Sequence, residues 1–117
     1  SEQAVERALD WLARHQDPED GRWDAGTARY GDGRGVPGDD SFTRHCPPGD
    51  LCFGECYYWE ADTAVTGLAL LAFLGAGYTQ LEGTHADVVR KGLDFLIDQQ
   101  GSDGDLRGRS RAVGIYC

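Results

Sequence analysis

Apolar residues recur at helical spacing in three places along the chain. Val5, Ala8, Leu9 and Leu12 fall at i, i+3, i+4 and i+7, with Glu6, Arg7, Asp10 and Arg14 mostly off that face, which predicts an amphipathic helix over 2–15. Pro18 ends it, because Asp17 before the proline is pushed out of helical dihedrals. Residues 62–76 carry Val65, Leu68, Ala69, Leu70, Leu71, Ala72, Phe73 and Leu74 with almost no polar face. A helix of that kind has to be covered all round. Asp62 or Thr63 is the expected N-cap, and Gly75 and Gly77 supply a stop. A third helix is predicted over 86–99, with Val89, Leu93, Leu96 and Ile97 on one face and Thr84 with Asp87 as a capping box.

Between the first two helices, 24–58 reads as a long loop punctuated by Gly26, Gly31, Gly33, Gly35, Gly38, Gly49 and Gly54, with Pro37, Pro47 and Pro48. Loops of this length are uncommon in compact domains. The tail after Gly101 also reads as loop. The fold class is therefore all-α, ordered amphipathic, fully apolar, amphipathic. Two neighbours cannot cover the middle helix on every side, so the expectation is that 1–117 is one fragment of a larger helical domain. Association through helix 62–76, with itself or with the rest of a parent chain, would supply the missing cover. The absence of any methionine adds the expectation of a trimmed chain.

Composition narrows the partners. A net charge of −9 and a pI near 4.5 disfavour nucleic acid or an anionic membrane surface, both of which need a basic footprint. Arg107, Arg109 and Arg111 form the one local basic cluster, in a Gly/Ser stretch that reads as solvated loop. No run approaches the roughly 20 apolar residues that span a bilayer. No signal peptide is visible.

Two stretches are related. Arg7-Ala8-Leu9-Asp10-Trp11-Leu12 is followed by Gln16 and Gly21-Arg22-Trp23, and Lys91-Gly92-Leu93-Asp94-Phe95-Leu96 by Gln100 and Gly104-Asp105-Leu106. Basic, small, two residues, aromatic, aliphatic, three residues, Gln, then Gly-x-Trp resembles the QW repeat of squalene and oxidosqualene cyclases and of prenyltransferase β-subunits. The first copy meets every position, and the second departs only at Leu106. The resemblance implies an α/α toroid, of which this chain holds about one and a half α-hairpins in outer-inner-outer order. It also implies a structural role for Arg7, Trp11, Gln16, Gly21, Trp23, Lys91, Phe95, Gln100 and Gly104. In the family the glutamine bonds the exposed backbone end of a neighbouring helix, which needs such partners.

The family's chemistry is another matter. The cyclase proton donor lies in an Asp-x-Asp-Asp-Thr-Ala stretch, aligned here with Trp59-Glu60-Ala61-Asp62-Thr63-Ala64, so Ala61 takes the donor's place and helix capping accounts for Asp62. Cys56-Tyr57-Tyr58-Trp59 is faintly similar to the zinc cysteine of protein prenyltransferases, but Gly54 stands where their aspartate belongs. Cys52-Phe53-Gly54-Glu55-Cys56 resembles the loop of complement-type thioester domains without the glutamine a thioester requires. Three readings of function follow. The first is a non-catalytic structural or interaction module of a larger repeat protein. The second is a piece of a terpene cyclase or prenyltransferase whose catalytic residues lie elsewhere. The third is a zinc-binding module on the 45–56 loop.

His45, Cys46, Cys52 and Cys56 could supply four N/S ligands to zinc, though at spacings unlike the usual knuckles. Cys46, Cys52, Cys56 and Cys117 could equally form two disulfides in any of three connectivities, which would imply export, or stay as thiols. His15 and His85, at helix ends, are expected to be exposed. Asp17, Glu19 and Asp20, with Asp103 and Asp105, match no calcium loop and are expected to be solvated turns, as are Asp39 and Asp40.

Overall fold

The structure, a computed structural model, describes residues 1–23 and 61–108. The cysteines, His45, the loop 24–58, Trp59 and the arginines at 109 and 111 lie outside those residues. Three helices make up the described fold: α1 (Glu2–Arg14), α2 (Asp62–Gly75) and α3 (Ala86–Gln99), with no strand among the described residues. The fold is all-α. No helix among them is long and apolar enough to cross a membrane.

Helix α2 packs mainly along α3 and more lightly on α1. Their shared core is Leu9, Trp23, Ala69, Leu70, Phe73 and Val89, with Leu12, Val65, Leu93 and Leu96 partly buried around it. Phe73 and Val89 are fully enclosed. Each such side chain contributes about 1.5–3 kcal/mol relative to leaving it in water.

The predicted faces need three corrections. In α1 only Leu9 is buried, while Val5 is 47% exposed, because α2 meets α1 toward its C-terminal half. In α3, Phe95 is buried and Ile97 is 65% exposed, so the buried stripe runs Val89, Gly92, Phe95. In α2, Thr66 is fully buried, whereas Leu68, Leu71 and Leu74 are exposed at 67%, 63% and 41%. The apolar middle helix is thus covered on one side and bare along a leucine stripe on the other.

The caps also differ from expectation. Ser1 caps α1 by accepting the Ala4 N–H on Oγ. Ala61 and His85 are the N-caps of α2 and α3, and neither makes a side-chain capping bond. Asp62 and Asp87 instead lie inside the first turns, where a negative charge suits the helix dipole, and Asp87 pairs with Arg90.

Candidate functional site

Among the described residues, the most heavily bonded region is the turn that follows α1, where residues 16–23 join all three helices. It is closed by two backbone bonds, Asp17 N–H to the Arg22 carbonyl and Gly21 N–H to the Asp17 carbonyl. The buried Gln16 amide donates 2.9 Å bonds to the Gly21 carbonyl and to the Val88 carbonyl in the first turn of α3. Trp23 indole N–H donates to the Leu12 carbonyl at 2.8 Å, satisfying an acceptor in the last turn of α1. Its backbone N–H donates to Thr66 Oγ1 of α2 at 2.9 Å. One turn therefore ties α1 to α2 and α3.

Glycine is required where the turn meets α3. Gly21 has φ +86°, and a Cβ there would lie 2.2 Å from the Lys91 carbonyl oxygen. On the facing helix, a Cβ at Gly92 would lie 2.8 Å from a Leu70 methyl and 3.1 Å from the Trp23 ring. Gly92 is thus the seat for the tryptophan.

The second copy builds a similar turn and leaves it open. Gly101 N–H bonds the Asp105 carbonyl, Gly104 N–H bonds the Gly101 carbonyl, and Gly104 has φ +89°. Gln100 donates to the Gly104 carbonyl at 3.3 Å, as Gln16 does to Gly21, but Gln100 is exposed. Among the described residues, a Cβ on Gly104 would meet only the Gln100 amide, at 3.8 Å.

A charge cluster sits beneath the first turn. Arg22, 18% exposed, lies 3.7 Å from Asp17, 3.6 Å from Asp20 and 3.4 Å from Asp62. Its Nη1 donates a hydrogen bond to Asp62, while its buried Nε pairs with Asp17 and Asp20 through charge alone, without a hydrogen bond. Asp17 Oδ1 accepts the Glu19 N–H, and Asp20 Oδ1 accepts the Arg22 N–H. Burial raises the Asp20 carboxyl above its ordinary value of 3.8, against the lowering effect of the Arg22 N–H and charge, and Asp17 adds to the rise. Asp17 is therefore no solvated turn residue: it is 1% exposed. Asp62 is held by an arginine from the preceding turn, in place of the capping role expected of it. Asp103 and Asp105 do fit the solvated reading better, Asp103 being exposed and Asp105 pairing at 2.7 Å with exposed Arg107.

Both described histidines are buried, contrary to expectation. His15 stacks on half-exposed Trp11 with centroids 3.9 Å apart, and its Nδ1 lies 2.7 Å from the Trp11 carbonyl, which fixes the proton on that nitrogen. His85 packs edge-on to Phe73 and Tyr78 and faces Glu6 at 4.0 Å and Asp10 at 3.7 Å. Tyr78 Oη donates to Glu6 at 2.7 Å.

Of the motif residues, Gln16, Gly21 and Trp23 converge on α3, and Lys91 belongs to the segment that receives them. Arg7 and Lys91 project into solvent, and Phe95 enters the core. Sequence reasoning missed Arg22, Thr66 and Gly92 as partners. Gly92 alone carried a signal, as the small residue of the repeat. No group of three or more His, Cys, Asp or Glu among the described residues is placed to hold a metal ion. Compared with protein-family models, curated proteins and solved structures, the chain finds no match.

Proposed function

We propose that this chain is a non-catalytic helical repeat segment, a structural or interaction module that works as an arc of a larger α/α assembly resembling the squalene cyclase and prenyltransferase toroids. The observation that carries the reading is the use made of Gln16: its buried amide bonds two main-chain carbonyls, one of them 72 residues away. Trp23 is likewise committed to Leu12 and Thr66. These residues join helices and have no donor facing a substrate.

The acid chemistry of the cyclases has little support. Ala61 stands at the proton donor's place and has no proton to give, and Asp62 beside it is engaged with Arg22 at 3.4 Å. Among the described residues the apolar groove along α2 is lined mostly by leucines, with Thr63 as its one polar side chain. Incubating the chain with squalene, and with geranylgeranyl diphosphate plus a cysteine-bearing peptide, is expected to give no product. Cyclised or prenylated product from either mixture would overturn the proposal.

A further inference from the structure

Among the described residues the first turn has a helix seated on it, and the second does not. The seated helix is α3, which presents the Val88 carbonyl to Gln16, the Lys91 carbonyl to Gly21 and Gly92 to Trp23. Helix α1 matches α3 in register from the N-cap onward, since Ser1 and His85, Ala4 and Val88, and Arg7 and Lys91 are all 84 residues apart. The residues of α1 equivalent to the seat on α3 are therefore Ala4, Arg7 and Ala8. All three are exposed.

We propose that the chain associates head to tail: the turn at 100–106 of one copy docks on the first two turns of α1 of a second copy, as the turn at 16–23 docks on α3 within the chain. Gln100 then donates to the Ala4 carbonyl of the second copy, Gly104 lies against its Arg7 carbonyl, and Leu106 rests on Ala8. The pairing of sizes supports this occupant. In the internal contact a large Trp23 meets a glycine; here a smaller Leu106 meets an alanine, so the extra methyl has room. Leu106 also borders the groove of about 590 Å³ that runs past Thr63, Leu93 and Leu96 to exposed Leu68 and Leu71. The apolar surface left bare on α2 is thus continuous with the proposed contact. Donor and seat are different patches, so the contact is heterologous and propagates into a ring or an open row.

This inference rests on the interaction-module reading and is tested apart from it. Sedimentation velocity over a concentration series of the whole chain is expected to show a mass rising above the 12.8 kDa of one copy. Gln100→Glu removes the amide donor and sets a carboxylate against a carbonyl. Ala8→Arg blocks the seat with a good helix former. Both sites are exposed, so far-ultraviolet circular dichroism should be unchanged. Each variant alone is expected to weaken association by about tenfold or more. An equal mixture should form a dimer that grows no further, because one partner keeps the turn and the other keeps the seat. A wild-type chain that stays monomeric at every concentration, or association that both variants leave intact, would overturn the head-to-tail contact. Product in the cyclase and prenyltransferase assays would instead sink the non-catalytic reading and leave this contact standing.

Discussion

Gln16 and Val88, 72 residues apart, are joined by a 2.9 Å hydrogen bond from a buried amide to a helix carbonyl. Among the described residues its counterpart Gln100, exposed, bonds only its own turn, at 3.3 Å. The same residue type should therefore matter unequally. Gln16→Leu strips the donor from two carbonyls and is expected to lower unfolding free energy by about 1–3 kcal/mol. Gln100→Leu should change it by less than about 0.5 kcal/mol, as surface substitutions do. Urea unfolding of both variants at a concentration where the chain is monomeric makes the comparison.

The two turn glycines form a second pair. Gly21→Ala adds a Cβ at positive φ and drives it to 2.2 Å from the Lys91 oxygen, so the turn and α3 must separate. The expected loss is about 3 kcal/mol, strain and overpacking together. Gly104→Ala makes only an ordinary contact with the Gln100 amide among the described residues and bears the backbone strain, about 1 kcal/mol. Equal losses in thermal unfolding would contradict the asymmetry.

Arg22 faces Asp17 and Asp62, both nearly fully buried. Arg22→Met keeps much of the side-chain volume and removes the cation, at an expected loss of about 3 kcal/mol, because the carboxylates stay buried. Adding Asp62→Asn should recover part of that loss. A double variant no more stable than the single one would show that Asp62 is held by other means.

Asp20 gives a pH signature. Burial raises its folded-state carboxyl above 3.8, so the folded chain holds this proton more tightly than the unfolded one. The stability it adds is present at low pH and is lost as pH rises through the folded value. Asp20→Asn can still accept the Arg22 N–H and does not ionise. The variant is expected to match the parent in acid and to melt slightly higher at neutral pH. A variant that melts lower at neutral pH would reverse the assigned sign.

The sequence by itself determined the three helices and the repeat. The bounds 86–99 agree with the structure, and the other two helices end one residue earlier than predicted, because period and glycine stops are local properties. It also marked Gln16, Gly21 and Trp23 as a linked set. What it could not give were the partners: that Trp23 meets Thr66 and Gly92, that Arg22 reaches Asp62, and that His15 and His85 are enclosed. Apart from the stacking of His15 on Trp11, those contacts join residues far apart in the chain, and only packing decides which polar side chain ends inside. The same reason explains the unlike fates of the two repeats. Their sequences nearly match, but α3 lies on the first turn and no described helix lies on the second, a difference set by where the helices sit.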